Sequence, residues 1–391
     1  MKTFALSLLT LWITFACRAQ NVSFNQGGTT ATHYYEEIPY EVVGTKMFIY
    51  VTIGGVRHKF LFDTGAPTQI SSSLAAETGA TDLSRTPIGD GTGKRDTLRI
   101  VSVKNIQLGQ VTFQDIPAIG YLPDIFPCWD AEGAVGSNML RNSIVQILPE
   151  RHVIILTDDA GRLLLKKRNG IPLNTALDQQ SSPFIQLIFK GTKRVFVYLG
   201  FDTGGDDFIT MPGVLLNQIF PYKVCTIADR GIGSHLYSEF GLGKPDSTYR
   251  VLIPSLTLAD VEFDNTTAEV LKVGMARIGA RLLSYGSVTL DFIHHKFYFD
   301  PTRDKVDMTL PFWPVSPIIQ NDQLFAGVVW GKMKDLIKPG EQIVAFGDVP
   351  TERTPLCAWL VHNPLDSVAG TVVVKIKGAD GVVRDVSMTK E

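Results

Sequence analysis

The chain has 391 residues, 45% of them hydrophobic and 19% charged, which is the balance of a folded globular protein and excludes a disordered one. Thirty-seven basic side chains against 39 acidic ones give a formal net charge of −2, so no strong positive field exists to hold a nucleic-acid backbone. Glycine (35) and proline (21) are plentiful and long helix-period stretches are scarce, which favours short strands joined by turns.

Residues 1–19 read as a secretory signal peptide. Lys2 supplies the positive end, Phe4 to Ala16 is an apolar run too short to span a bilayer comfortably, and Cys17-Arg18-Ala19 puts small residues at −3 and −1 of a cut before Gln20. The alternative is a lipoprotein signal with Cys17 as the lipidated residue. Removing the segment takes Lys2 and Arg18 with it and leaves a net charge of −4. The mature protein is expected to be periplasmic or secreted, or held by a lipid at Cys17. Residues 20–37, polar and rich in Gly and Thr, suit a flexible lead-in.

A first unit is expected over 38–170. Phe48 to Leu61 is β-rich and broken by Gly54-Gly55, the pattern of two strands and a turn, and it runs into Phe62-Asp63-Thr64-Gly65-Ala66. The polar tip Gly91-Thr92-Gly93 follows within residues 88–96, then Ala134-Val135-Gly136 and the strand-like stretch His152 to Leu156. The glycines near Asp90 do not form a phosphate loop, because they lack the lysine context and do not open a helix.

A second unit, over 171–304, repeats the order. Phe184 to Val197 leads into Phe201-Asp202-Thr203-Gly204-Gly205, 139 residues after the first copy. Gly231-Ile232-Gly233, within residues 230–236, matches the first polar tip, Arg277-Ile278-Gly279 the apolar-Gly element, and His295 to Phe299 the closing strand. A single D-T-G is an ordinary turn, but two in matching contexts indicate duplication of one domain-sized unit. His294 and His295 fall in an expected strand, where neighbours face opposite ways and cannot share a metal. Asp206 and Asp207 read as solvated charges whose field raises the pKa of nearby carboxyls. Cys128 and Cys225 are either paired with each other or free buried thiols. The odd count of three cysteines after residue 19 gives no disulfide framework.

After Phe297 to Pro301 the repeat is exhausted and Thr302 to Lys305 looks like a linker. Residues 305–391 suit one small domain. Leu324 to Trp330 reads as a strand, Thr371 to Met388 as a hairpin around Asp380-Gly381, and residues 350–368 as an insertion. Leu336-Ile337-Lys338-Pro339-Gly340-Glu341-Gln342-Ile343 resembles the G-L-K-P-G-D stretch of bacterial PDZ domains, with Glu341 where Asp is usual. That resemblance implies a PDZ-like α+β domain able to take a peptide as an added strand.

The paired F-D-T-G motifs, each followed by an apolar-Gly element, resemble the two halves of a pepsin-like or retropepsin-like aspartic peptidase over about residues 40–300. The expected fold class is mainly β: two homologous β-barrel-like lobes plus the PDZ-like domain. The resemblance implies a catalytic dyad of Asp63 and Asp202, with Thr64 and Thr203 cross-bonded beneath it and Gly65 and Gly204 keeping the turns tight. It also implies flaps at Gly91-Thr92-Gly93 and around Gly231 and Gly233. Two flaps are closer to a fused retropepsin dimer than to pepsin, and the first tip lacks the pepsin flap tyrosine. Two close carboxylates cannot both ionise cheaply, so one keeps its proton, and the pair can activate a water without metal or cofactor. Ala66 and Gly205 stand where many pepsin-like lobes carry a hydroxyl, so the pH optimum is expected nearer neutrality than pepsin's. Arg277 departs from the usual apolar residue at its position. The expected protein is a monomeric endopeptidase acting on a peptide or protein substrate. The rival reading is a non-catalytic peptide-binding envelope scaffold that keeps the lobes.

Overall fold

The computed structural model describes residues 23–166 and 170–390. The proposed signal segment and Cys17 lie outside them. Among the described residues, no helix is long and apolar enough to cross a membrane.

Both lobes grow from one shared sheet of six strands, in the order Tyr35–Pro39, Val153–Thr157, Ile144–Leu148, Gly286–Asp291, Lys296–Pro301 and Gly170–Asn174. The two lobes meet at its centre, where Ile144–Leu148 pairs antiparallel with Gly286–Asp291. Alternation along these strands sends Val145, Ile147, Leu156, Val288, Leu290 and Phe299 into the main apolar core.

Above this sheet the duplication is literal. Lys46–Ile53 and Val56–Asp63 form the first hairpin, and Phe184–Lys190 and Arg194–Asp202 the second. Each hairpin's second strand takes a parallel partner, Gly133–Gly136 in one lobe and Arg277–Gly279 in the other. The registers match: Asp63 lies opposite Gly136 and Asp202 opposite Gly279. The two glycines are required by space. A Cβ on Gly136 would lie 2.4 Å from the Ala66 carbonyl oxygen, and one on Gly279 would lie 2.2 Å from that of Asp207.

Residues 23–34, read from composition as part of a flexible lead-in, dock on the first lobe. Phe24 is buried, Gly28 bridges to Gln114, and Asn25 accepts a hydrogen bond from Ser181 of the second lobe at 2.7 Å. Past the expected linker, Lys305–Asp307 pairs in parallel with Val261–Leu271 and so adds to the second lobe. The C-terminal unit then builds its own core from residues including Val315, Leu324, Ile343, Phe346, Val374 and Met388. Its strand Gln323–Trp330 continues the second lobe's sheet by pairing with Thr226–Gly233, and Thr371–Lys377 with Val383–Thr389 forms the expected hairpin. Residues 350–368 supply a short helix, Leu356–Val361.

Three local expectations are corrected. A disulfide does form, but it joins Cys128 to Cys357, 229 residues apart, and Cys225 is a free buried thiol. His294 and His295 occupy the turn between Gly286–Asp291 and Lys296–Pro301, where His295 takes φ +54°, and the His294 ring bonds Asp291 at 2.9 Å. Gly231 and Gly233 are not a hairpin tip. They lie inside Thr226–Gly233 with Trp330 and Val328 as partners, and a Cβ on Gly231 would meet the Trp330 ring at 2.7 Å.

Candidate active site

The two D-T-G turns meet at the top of the junction between lobes. Thr64 donates its hydroxyl to the Phe201 carbonyl at 2.8 Å and accepts the Thr203 N–H at 3.1 Å. Thr203 does the reverse, donating to the Phe62 carbonyl at 2.8 Å and accepting the Thr64 N–H at 3.0 Å. Both threonines are fully buried, so these four bonds have no water to compete with them and tie one lobe's turn to the other's.

Above this cross-brace sit the carboxylates. The Gly65 N–H donates to Asp63 Oδ1 and the Gly204 N–H to Asp202 Oδ1, each at 2.9 Å. Each glycine also faces the opposite carboxylate. A Cβ on Gly65 would lie 2.2 Å from Asp202 Cγ, and one on Gly204 would lie 2.4 Å from Asp63 Oδ2. No side chain fits between the turns, and this close approach brings the two carboxyl groups within hydrogen-bond reach of each other.

The pair is electrically asymmetric. Asp63 is pushed up to about 7, first by burial and then by the charge of Asp202, against the opposing pull of Arg277 and the Gly65 N–H. Asp202 is held below the usual carboxylate range: burial works against it, but the Arg277 guanidinium, by charge and by hydrogen bond, together with the Asp63 hydrogen bond and the Lys46 charge, outweighs burial. One Nη1 of Arg277 bonds Asp202 Oδ2 and also the Gly65 carbonyl at 3.2 Å, spanning the two motifs. The asymmetry favours the proton on Asp63 and the negative charge on Asp202.

Arg277 is the residue whose role sequence reasoning missed. Its departure from the apolar pattern was the available signal, but only the parallel pairing of Gly200 with Arg277 puts it beside Asp202. It supplies the hydrogen bond that the hydroxyl-free positions Ala66 and Gly205 cannot. Two further supports were unforeseen. Lys46 donates to the Gly204 carbonyl at 2.5 Å and to Asp206 at 2.6 Å, so Asp206 is paired rather than merely solvated. Gln180 donates to the Gly65 carbonyl at 3.1 Å. A cavity of about 190 Å³ opens beside the dyad, lined by Asp202, Arg277, Gln180, Ser182, Phe184 and Met275.

The residues expected at the first tip do close a hairpin. Thr81–Gly89 and Arg95–Leu108 pair as a long hairpin, and Gly91, Thr92 and Gly93 form its tip. Asp90 Oδ1 fixes the tip by accepting from the Thr92 N–H, the Thr92 hydroxyl and the Lys94 N–H at 2.9, 2.6 and 3.0 Å. The second lobe's tip lies beyond the expected place, at Glu239-Phe240 between the short strands Tyr237–Ser238 and Gly241–Leu242. Glu239 is pushed up to about 7 by burial, with the Gln69 amide opposing and the Asp90 charge assisting. Among the described residues, no group of three or more His, Cys, Asp or Glu side chains is placed to hold a metal ion.

Comparison with known proteins bears on the same region. No curated protein matches the chain in sequence. The crystal structure of basic 7S globulin from soybean aligns over 70% of this chain and 96% of its own, at 12% identity and a TM-score of 0.38. Residues 49–128, which include Asp63 and the hairpin tip Gly91-Thr92-Gly93, match the family model described as aspartyl protease.

Proposed function

We propose that the protein is an aspartic endopeptidase. The observation that carries this reading is the reciprocal Thr64–Thr203 brace, which sets the turns that carry Asp63 and Asp202 against each other. Ionised Asp202 takes a proton from the water as it attacks the peptide carbonyl carbon. Protonated Asp63 donates a hydrogen bond to the carbonyl oxygen as negative charge develops there. Asp202 then returns its proton to the departing nitrogen, the C–N bond breaks, and the dyad regains its starting state. The proposed substrate is an extended peptide with apolar side chains flanking the cut. Export through residues 1–19 and peptide capture by a PDZ-like C-terminal unit belong to the same proposal.

The test is hydrolysis of a mixed fluorogenic peptide library by the mature chain, with a pepstatin-type inhibitor as control. Asp63→Asn and Asp202→Asn should each lower the rate by about 10²–10⁴-fold or more. Full activity in either single variant removes the dyad mechanism. One observation favours a second reading, a non-catalytic peptide-binding scaffold: the ion pair with Arg277 makes Asp202 a weaker base. That reading predicts peptides bound and recovered intact.

A further inference from the structure

Duplication makes the two lobes comparable position by position, and one pair of positions differs sharply. Two residues before each motif aspartate, on the same face of the strand, the first lobe has Leu61 opposite Ala134 and the second has Gly200 opposite Arg277. Leu61 and Ala134 are buried with Phe48 and Trp129 in one apolar cluster. Gly200 brings no side chain, and the cavity of about 190 Å³ beside the dyad opens over it. Gly65 and Asp202 are part of the cavity wall, so a side chain seated there belongs to a residue next to the bond under attack.

The rest of the lining is mixed. Phe184 and Met275 supply apolar surface. Arg277 spends Nη1 on Asp202 and on the Gly65 carbonyl, and its Nη2 and Nε donate to no group among the described residues. Asp178 accepts the Gln180 and Ser182 N–H groups on Oδ1, each at 3.1 Å, and its Oδ2 has no hydrogen-bond partner among the described residues. The Gln180 amide nitrogen is taken by the Gly65 carbonyl and Ser182 Oγ, at 3.1 and 2.9 Å, which leaves its amide oxygen as an acceptor. The cavity therefore offers unused donors, from Arg277, together with unused acceptors, from Asp178 and Gln180.

An entering side chain must satisfy both sets. Methionine leaves both unpaired once water is displaced. Glutamate accepts from Arg277 but adds a third carboxylate to Asp178 and Asp202 around one cation. Lysine can donate to Asp178, yet it has no acceptor for Arg277 and stands beside a like charge. Glutamine accepts from Arg277 through its oxygen, donates to Asp178 through its nitrogen, and lays its methylenes on Phe184 and Met275.

We propose that this cavity is a specificity pocket for a carboxamide side chain, glutamine above all, with Arg277 donating to its oxygen and Asp178 accepting from its nitrogen. The proposal rests on the endopeptidase reading for turnover and narrows one of the two side chains that flank the cut. The pocket's choice of ligand stands apart from turnover.

The test uses the full mature chain and fluorogenic peptides alike except at the central pair of residues, one held as Leu and the other set to Gln, Glu, Met or Lys, in both orders. In one order kcat/KM for Gln should exceed that for each of the others by about tenfold, the low end for hydrogen-bonding groups left unpaired at a site open to solvent. Asp178→Asn keeps the Oδ1 acceptor and exchanges Oδ2 for a donor, so it should lower the Gln-to-Glu ratio by at least about tenfold. Equal rates for Gln and Met in both orders, or a preference for Glu or Lys, overturn the assignment, and so does an unchanged Gln-to-Glu ratio in Asp178→Asn. If no peptide is cut, the endopeptidase reading falls, and equilibrium binding of the same peptides, read by fluorescence anisotropy, decides the pocket. Gln bound about tenfold more tightly than Met then upholds it, and equal affinities overturn it.

Discussion

Replacing Arg277 with Gln tests the electrostatic asymmetry directly. The guanidinium pairs with Asp202 Oδ2; its own side chain is 39% exposed and that of Asp202 9%. A neighbouring cation lowers a carboxylate pKa, and the Arg277 guanidinium holds that of Asp202 below the usual carboxylate range against the opposing effect of burial. Asp202 must be ionised to act, so its depressed pKa extends the active range toward acid. Without Arg277 that limb moves up, and each pH unit of displacement is about a tenfold loss of kcat/KM on the acid side. Arg277 also opposes the rise of Asp63, so the alkaline limb, set near 7, moves up as well. The assay is a pH profile of kcat/KM on one fluorogenic peptide for the parent, Arg277→Gln and Arg277→Lys, with Lys restoring part of the shift. A profile that falls in height but keeps both limbs in place would refute the reasoning, because it would mean Arg277 acts only by packing.

The other predictions concern what holds the site together. Thr203→Val removes a hydroxyl that donates to Phe62 and accepts from Thr64, leaving two buried groups unpaired, and should cost about 2–4 kcal/mol in denaturant titration along with a lower kcat. Asp63 has its pKa raised on folding to about 7, so it favours the fold while both states hold the proton and penalises it as pH rises from the unfolded value toward 7. Asp63→Asn should therefore be more stable than the parent at pH 7, on the order of 2 kcal/mol, with the gap closing near pH 4 in the same titration. Cys357→Ser opens a loop of 229 residues, for which the loop-entropy estimate is about 5 kcal/mol at most, and should lower the midpoint of the C-terminal unit's unfolding. An unchanged midpoint would show that the apolar contact of Leu360 with the Phe48–Trp129 cluster suffices by itself.

The amino-acid sequence by itself settled the features whose causes are local. Two hairpins ending in D-T-G, two apolar-Gly elements at matched offsets, the hairpin tip at Gly91-Thr92-Gly93 and the last hairpin all depend on alternation, turn residues and a nearby partner strand. Duplication added the one long-range fact readable from the chain, that Asp63 and Asp202 are equivalent. What tertiary structure alone decided are contacts between residues far apart in the chain whose types carry no address for each other. Arg277 reads as a departure from pattern until its register against Gly200 sets it on Asp202. Cys128 has two possible mates by count, and only the packing of the helix Leu356–Val361 on the first lobe selects Cys357. Gly231 looks like a turn until Trp330 of the C-terminal unit lies across it. Phe240 and Glu239 carry no signal in the sequence, and it is the folded lobes that supply Asp90, Lys94 and Gln69 as their partners. Propensity acts within a few residues, while the choice among distant partners is made by burial and shape when the lobes fold together.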